Sequence, residues 1–405
     1  MTTNLDATSP SNVRQGQNEV STLGEAPSFI QQTRRHGGTQ NTAAETRVVI
    51  KRAPKIPVLG SRPVPANGPT LFVRMDRMGD LILSLPADGQ FPELPDSGER
   101  EVDWWISEGL GFIADHAIPR RRVREMKAKI SFREFKGLLR EVKSRKYHMV
   151  IILHAPWWVS AMMWLAQIPN RVGPRAQWHS FLFLNKGVRQ KRSLSETSEF
   201  EYNLRVMDTL TDLPTITREP LRLKLDPDWK AETLKSFQLQ AGKYSVVHPG
   251  MGGSARNWPN SHYIAWIQEA SSDETIVITG TLSDELILSP IKQALQGKRN
   301  VVWLDGKLSG SQLLHVLDGA RCVLAPSTGV AHLAASLGRP TIGIYSPVKV
   351  QHPVRWSPQG ESVQILLPEV ECPGKKSCIG NSCPHFDCMN RISLEAVRSI
   401  WTTRA

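Results

Sequence analysis

Residues 321–347 read RCVLAPSTGVAHLAASLGRPTIGIYSP. RCVLA and TIGIYS have the apolar, β-branched texture of short buried strands, and Val330–Leu337 between them reads as a helix. Strand, helix and strand in so short a span predict a parallel pair joined by a crossover. The same alternation extends backwards from this unit. YSVVHP, TIVITG and NVVWL read as strands, and HYIAWIQEA, Glu285–Gln296 and Gln312–Ala320 as the helices between them. It also occurs earlier in the chain. TLFVRM is a strand and Gly79–Leu85 opens a helix. VDWWIS is a strand, Ile130–Lys146 is an amphipathic helix with Phe135, Leu138, Leu139 and Val142 inward, and MVIIL is a strand. The chain therefore predicts an α/β protein with parallel sheets, in two domains at residues 68–230 and 231–405. Leu223–Ala241 is the expected hinge. No fixed-period repeat interrupts the pattern.

The chain has 405 residues, 40% hydrophobic and 22% charged, with a net charge of +12. This is the composition of a globular protein, and its basic balance favours anionic partners: nucleic acid, phospholipid or phosphorylated ligands. Five cysteines are too few for a secreted disulfide scaffold, which favours an intracellular setting. Residues 1–67 are rich in Ser, Thr, Gln, Asn, Gly and Pro and read as a disordered tail and linker with no signal-peptide pattern. Met149–Ile168 has the length of a membrane span, but His154, Pro156, Ser160 and Gln167 interrupt it, so a strand followed by a helix is expected. Trp157, Trp158 and Trp164 leave peripheral membrane contact open. Arg120–Lys146 holds twelve Lys and Arg against three Glu. It is either a solvated helix face or a docking surface for an anionic membrane or phosphorylated acceptor.

Three motifs carry candidate chemistry. In RMDRMGDLILSLP, from Arg74, a strand runs through a turn at Gly79 into a helix, which puts Asp80 at the carboxyl end of a strand. Ligands bind there in open parallel sheets. Asp80 is thus a candidate general base or a carboxylate that stabilises a helix N-terminus. In HPGMGGSARNWP, from His248, a Gly-rich loop with Gly250 lets backbone N–H groups approach an anion, and Arg256 adds charge. It lacks the Lys-Ser/Thr of a P-loop. In APSTGVAHLAA, from Ala325, Ser327 or Thr328 either caps the helix or, with Gly329, leaves N–H groups free for a diphosphate. His332 follows, as a packed first-turn histidine or a ligand contact. Asp226-Pro-Asp228 lies in the hinge and is discounted as a metal site. Cys372, Cys378, Cys383 and Cys388 fall within seventeen residues without the paired spacing of common zinc sites. They are reduced thiols tethering a C-terminal segment or, less simply, metal ligands with His385.

These motifs, with ITGTLSDE and CPGKKSCIGNSCPHFDCM, occur in an order that resembles the heptosyltransferases of glycosyltransferase family 9, over Thr70–Val397. The resemblance implies a GT-B fold, two Rossmann-like parallel-sheet domains facing a cleft. The first receives the acceptor, and the second, with its Cys-rich tail, binds a nucleotide-activated heptose. It implies inverting, metal-independent transfer from ADP-heptose, a substrate rather than a cofactor, to the inner core of lipopolysaccharide. Asp80 matches the catalytic base. Gly250, Arg256, Asp284, Ser327, Thr328, Gly329 and His332 match the donor site, with Glu285 the alternative to Asp284. The partners implied are a phosphorylated, lipid A-linked glycolipid and an anionic membrane, with the protein peripheral at the cytoplasmic face of a bacterial inner membrane. Nucleic acid is not expected, since no nucleic-acid motif occurs. Where many relatives carry Asn-Asp, this chain has Pro326-Ser327. That leaves open a relative using another nucleotide sugar or a protein acceptor, or a non-catalytic nucleotide-sugar-binding scaffold.

Overall fold

Two six-stranded sheets, parallel throughout, account for the alternation in the sequence. The first comprises β1 (Thr70–Arg74), β2 (Glu99–Ser107), β4 (Arg120–Met126), β5 (Met149–His154), β6 (Asn170–Pro174) and β7 (Lys186–Val188). A two-residue strand, β3 (Ala117–Ile118), pairs antiparallel with β8 (Arg222–Leu223). The second sheet comprises β9 (Tyr244–Val247), β10 (Thr275–Ile278), β11 (Val301–Trp303), β12 (Val323–Pro326), β13 (Thr341–Ile344) and β14 (Val363–Leu366). The orders are β4-β2-β1-β5-β6-β7 and β11-β10-β9-β12-β13-β14. Counted within each sheet, both are the doubly wound order 3-2-1-4-5-6, which reverses direction beside its first strand. The crevices therefore open at the carboxyl ends of β1 and β5, and of β9 and β12.

The structure is a computed structural model whose described residues all fall within one unit. The described residues are 68–94, 97–210, 218–253 and 255–404. The predicted tail, residues 1–67, lies outside them, as does Ser254 of the Gly-rich loop.

Strand periodicity distributes the core. Leu71 and Val73 face one side of the first sheet, packed with Val150, Ile152, Leu138, Val142, Val159 and Met162. Phe72 faces the other, stacked on its register partner Trp104 at 4.7 Å between ring centroids. That second cluster continues without a break into Tyr244, Val246, Leu314, Leu317 and Leu333, so the two sheets share one apolar core across their junction. Val247, Ile276, Ile278, Leu324 and Ile344 build the far side of the second sheet with Trp258, Trp266 and Trp401. Parallel sheets buried on both faces explain why these strands read as continuous apolar runs.

The predicted Ile130–Lys146 helix spans Phe132–Arg145. It starts at Ser131, whose hydroxyl and the Glu134 carboxylate form a capping box, and ends at Lys146 in the left-handed conformation. The basic run is not uniform. Its first part is the edge strand β4, and Arg121 points inward, buried against Asp88 at 2.9 Å. The stretch read as a hinge carries a helix, Pro227–Ser236, because Asp226 accepts hydrogen bonds from the N–H groups of Asp228 and Trp229 and caps it.

Candidate active site

Arg74 is the last residue of β1, and its burial decides the site's electrostatics. Its Nη2 donates to Asp80 Oδ1 at 2.5 Å and its Nε to Asp76 Oδ1 at 2.8 Å. Nη1 donates to Glu199 Oε1 and Asn203 Oδ1, both at 3.3 Å. Glu199, fully buried at the start of the helix Glu199–Met207, is also held by Arg192 and by Arg355. Arg355 comes from beyond the second sheet's β13, so this cluster joins the two halves. Burial of an ion costs several kcal/mol unless it is paired and hydrogen-bonded, and three arginines with three carboxylates meet that condition here.

Asp80 sits in the first turn of the helix Met78–Ile82, where no side chain caps the N-terminus. Its carboxylate turns to Arg74 instead and makes no capping bond, while it still lies in the helix's first turn. Burial raises its pKa to about 6, assisted by the neighbouring Asp76 and Glu199 and opposed by Arg74. Such a group is ionised at neutral pH yet basic enough to accept a proton. Glu199 is held below its ordinary value despite burial, because Arg74, Arg192 and Arg355 surround it. Above the cluster opens a cavity of about 470 Å³. Besides Arg74, Asp76 and Asp80, its walls include His154, Gln177, His179, Lys191, Arg192 and Arg355.

The first and third motifs meet directly. A Cβ on Gly79 would lie 2.9 Å from His332 Cδ2, and one on Gly329 would lie 2.7 Å from Met78 Sδ. The helices Met78–Ile82 and Gly329–Ser336 therefore touch through two glycines. His332 is buried and burial lowers its pKa to about 4, so it packs as a neutral ring against Gly79. Thr328 stands at the N-cap position of its helix without donating or accepting a capping bond, and its buried Oγ1 has no hydrogen-bond partner. Ser327 hydrogen-bonds Tyr345. The amides at this helix start remain available to an anion.

The Gly-rich loop follows β9, beside β12. Gly252 and Gly253 both take left-handed conformations, φ 55° and 69°. Asp284 clamps the loop from beneath. Its carboxylate accepts from the Thr281 N–H and hydroxyl at 2.9 and 2.7 Å and from the Gly252 N–H, and no Cβ would fit at Gly250 above it. Arg256 turns to the C-terminal tail, donating to Cys378 Sγ at 2.8 Å and to the Phe386 carbonyl at 2.7 Å while stacking on the Phe386 ring. The Cys378 thiol is partly desolvated, but the Gly380 N–H and Arg256 pull its pKa below the usual value. Burial and the three neighbouring cysteines raise that of Cys388. None of the four tail cysteines forms a disulfide, and among the described residues no group of three or more His, Cys, Asp or Glu is arranged to hold a metal ion.

The family model of glycosyltransferase family 9 (heptosyltransferase) matches residues 136–382. The chain belongs to that family. A Haemophilus influenzae protein classed provisionally as a glycosyltransferase is 26% identical over 354 residues, 82% of this chain and 98% of that one. Lipopolysaccharide heptosyltransferase 2 of Escherichia coli is 25% identical over 225 residues, 53% of this chain and 64% of the relative. The solved ADP-heptose lipopolysaccharide heptosyltransferase II of E. coli superposes with a TM-score of 0.64 at 18% identity, covering 83% of this chain and 98% of that one. The GT-B fold of this family 9 glycosyltransferase follows from that likeness and from the two doubly wound sheets.

Among the described residues of this glycosyltransferase, no helix is long and apolar enough to cross a membrane. Met149–Ile168 divides into β5 and the helix Trp157–Leu165, as the sequence predicts. Arg74, Glu199, Arg192 and Arg355 carry no role in the sequence reading. The one available signal was the charge of Arg74 at the end of an otherwise apolar strand.

Proposed function

We propose that this glycosyltransferase moves a heptose from ADP-heptose to a phosphorylated, lipid A-linked acceptor at an anionic membrane surface on the cytoplasmic side. The observation that carries the reading is the half-buried, Arg74-held Asp80 carboxylate at a switch-point crevice. The E. coli relative's name, lipopolysaccharide heptosyltransferase, supports the donor and acceptor classes.

In the proposed reaction an acceptor hydroxyl enters the cavity and hydrogen-bonds Asp80. Its oxygen attacks the anomeric carbon as the bond to the diphosphate breaks on the opposite face, which inverts the configuration. Asp80 takes the hydroxyl proton, and the electron pair of the broken bond leaves on the nucleoside diphosphate. General-base assistance of this kind contributes about 10²–10⁴-fold. Arg74 orients the carboxylate. Amides at Ser327–Gly329 and the Gly250 loop would hold the diphosphate, with Asp284 fixing that loop. Thr328 Oγ1, buried and unpartnered, would donate its hydroxyl proton to the same diphosphate. His332 positions the helix rather than adding charge. Arg256 would reach the diphosphate only by releasing Cys378 or Phe386.

A second reading, another nucleotide sugar, rests on Pro326-Ser327 and on that engagement of Arg256. Thermal unfolding with ADP, UDP, GDP, CDP or ADP-heptose separates the two. A ligand at 100 times its Kd adds about 2.7 kcal/mol. Stabilisation by ADP and ADP-heptose alone is expected. Stabilisation by a different nucleotide discards heptose, and none with any nucleotide overturns the nucleotide-sugar reading altogether.

A further inference from the structure

Apart from the buried Ser160, the helix Trp157–Leu165 is apolar all round. Val159, Ser160, Met162 and Met163 are buried against the first sheet, but the opposite side presents Trp157, Ala161, Trp164 and Leu165, at the i, i+4, i+7, i+8 spacing of a single face. A helix of this kind is normally covered on every side. Here the outward tryptophans are 56% and 50% exposed. The helix Trp178–Phe183 packs beside it, Phe183 meeting Trp164 at 5.9 Å between centroids. It adds Trp178, Phe181 and Leu182 at i, i+3, i+4, and these are 67%, 50% and 65% exposed. The two helices thus form one contiguous apolar surface, of the kind that marks an interaction site.

Its rim is basic. Trp158 Nε1 donates to the carbonyl of Ala128, tying the first helix to the loop that carries exposed Lys127 and Lys129. Lys136 lies over Phe132 on the neighbouring helix, and Arg175 over Phe181. Exposed Trp beside cations is the composition of a surface that sits at the headgroup boundary of an anionic bilayer. Nine residues at about 1.5 Å rise cannot cross a hydrocarbon core of about 30 Å, so the helix lies on the membrane. A second copy of the chain fits poorly, since a two-fold contact through this patch would bring like-charged rims together.

We infer that this two-helix face docks on anionic phospholipid and brings the cavity to the membrane. The inward sides of the same segments supply Ala155, Ser160, Gln177, His179 and Ser180 to the cavity that holds Asp80. Docking there places the opening where a lipid-linked acceptor resides. The inference rests on the membrane-surface partner proposed above and specifies the residues that meet it.

The test is co-sedimentation of the full chain with vesicles of phosphatidylcholine containing phosphatidylglycerol, against pure phosphatidylcholine, without nucleotide or acceptor. Binding is expected to the anionic vesicles, with tryptophan emission quenched by brominated lipid. Replacing Trp164, Trp178 and Leu182 together by Ser lowers partition at least about tenfold while the far-UV circular dichroism stays that of the wild type. Lys127→Gln with Lys129→Gln lowers it by about fivefold per charge on anionic vesicles alone. Failure of the wild type to bind, or binding that the triple variant leaves intact, overturns the inference. So does a wild-type dimer in sedimentation that the triple variant converts to monomer. Because no sugar donor is present, a failed transfer assay leaves the inference standing. Transfer to a delipidated acceptor without vesicle binding sinks it alone.

Discussion

Arg355 of the second half meets Glu199 of the first at 3.0 Å, and Glu199 shares Arg74 with Asp80. Closure of the two halves and the setting of the candidate base thus use one carboxylate. Removing that carboxylate takes the paired carboxylate from Arg192 and Arg355 and one of three from Arg74, at a buried site. Glu199→Ala is expected to cost roughly 3–5 kcal/mol, the usual penalty for uncompensated buried charge. Arg355→Ala leaves Glu199 two arginines and should cost less, about 1.5–3 kcal/mol. Denaturant titration of both variants checks the order, and equal losses would contradict the shared-carboxylate picture.

The raised pKa of Asp80 sets a pH dependence with opposite signs for rate and stability. A base must be unprotonated, so kcat/KM should fall as pH drops below about 6. A carboxyl whose folded pKa lies above its ordinary 3.8 contributes stability that is present below that value and lost as pH rises through about 6. A pH–rate profile with an acid limb near 4 instead would place the titrating group elsewhere.

Helix contact through Gly79 and Gly329 makes a packing prediction. Gly79→Ala should cost about 1–3 kcal/mol by overpacking against His332. Combined with His332→Ala, the loss should be smaller than the sum of the two single losses, because each change relieves the other. Strict additivity in a double-mutant cycle would mean that the two residues do not share the contact.

Arg256 holds Cys378 and lowers its thiol pKa together with the Gly380 amide. Arg256→Ala should move the midpoint of Cys378 alkylation to higher pH, read peptide by peptide in mass spectrometry. An unchanged midpoint would mean that the contact does not persist in solution.

The parallel sheets were legible because strands buried on both faces are apolar without interruption, as in β5, β9 and β12. Asp80 was legible because a strand-to-helix turn fixes where its side chain must be. Its partners were not. Glu199 lies 125 residues from Arg74 and 156 from Arg355, and only the folded topology brings them together. Arg121 reads as one more cation in a basic run, whereas Asp88 draws it into the core. Arg256 reads as a cation beside a Gly-rich loop, and its distant partners in the tail carry no local signal.

The central claim is that Asp80 is the base of a glycosyl transfer, and Asp80→Asn tests it most directly. Single-turnover transfer from ADP-heptose should fall by about 10²–10⁴-fold while ADP affinity stays within about twofold. Transfer by this variant at the wild-type rate would contradict the account.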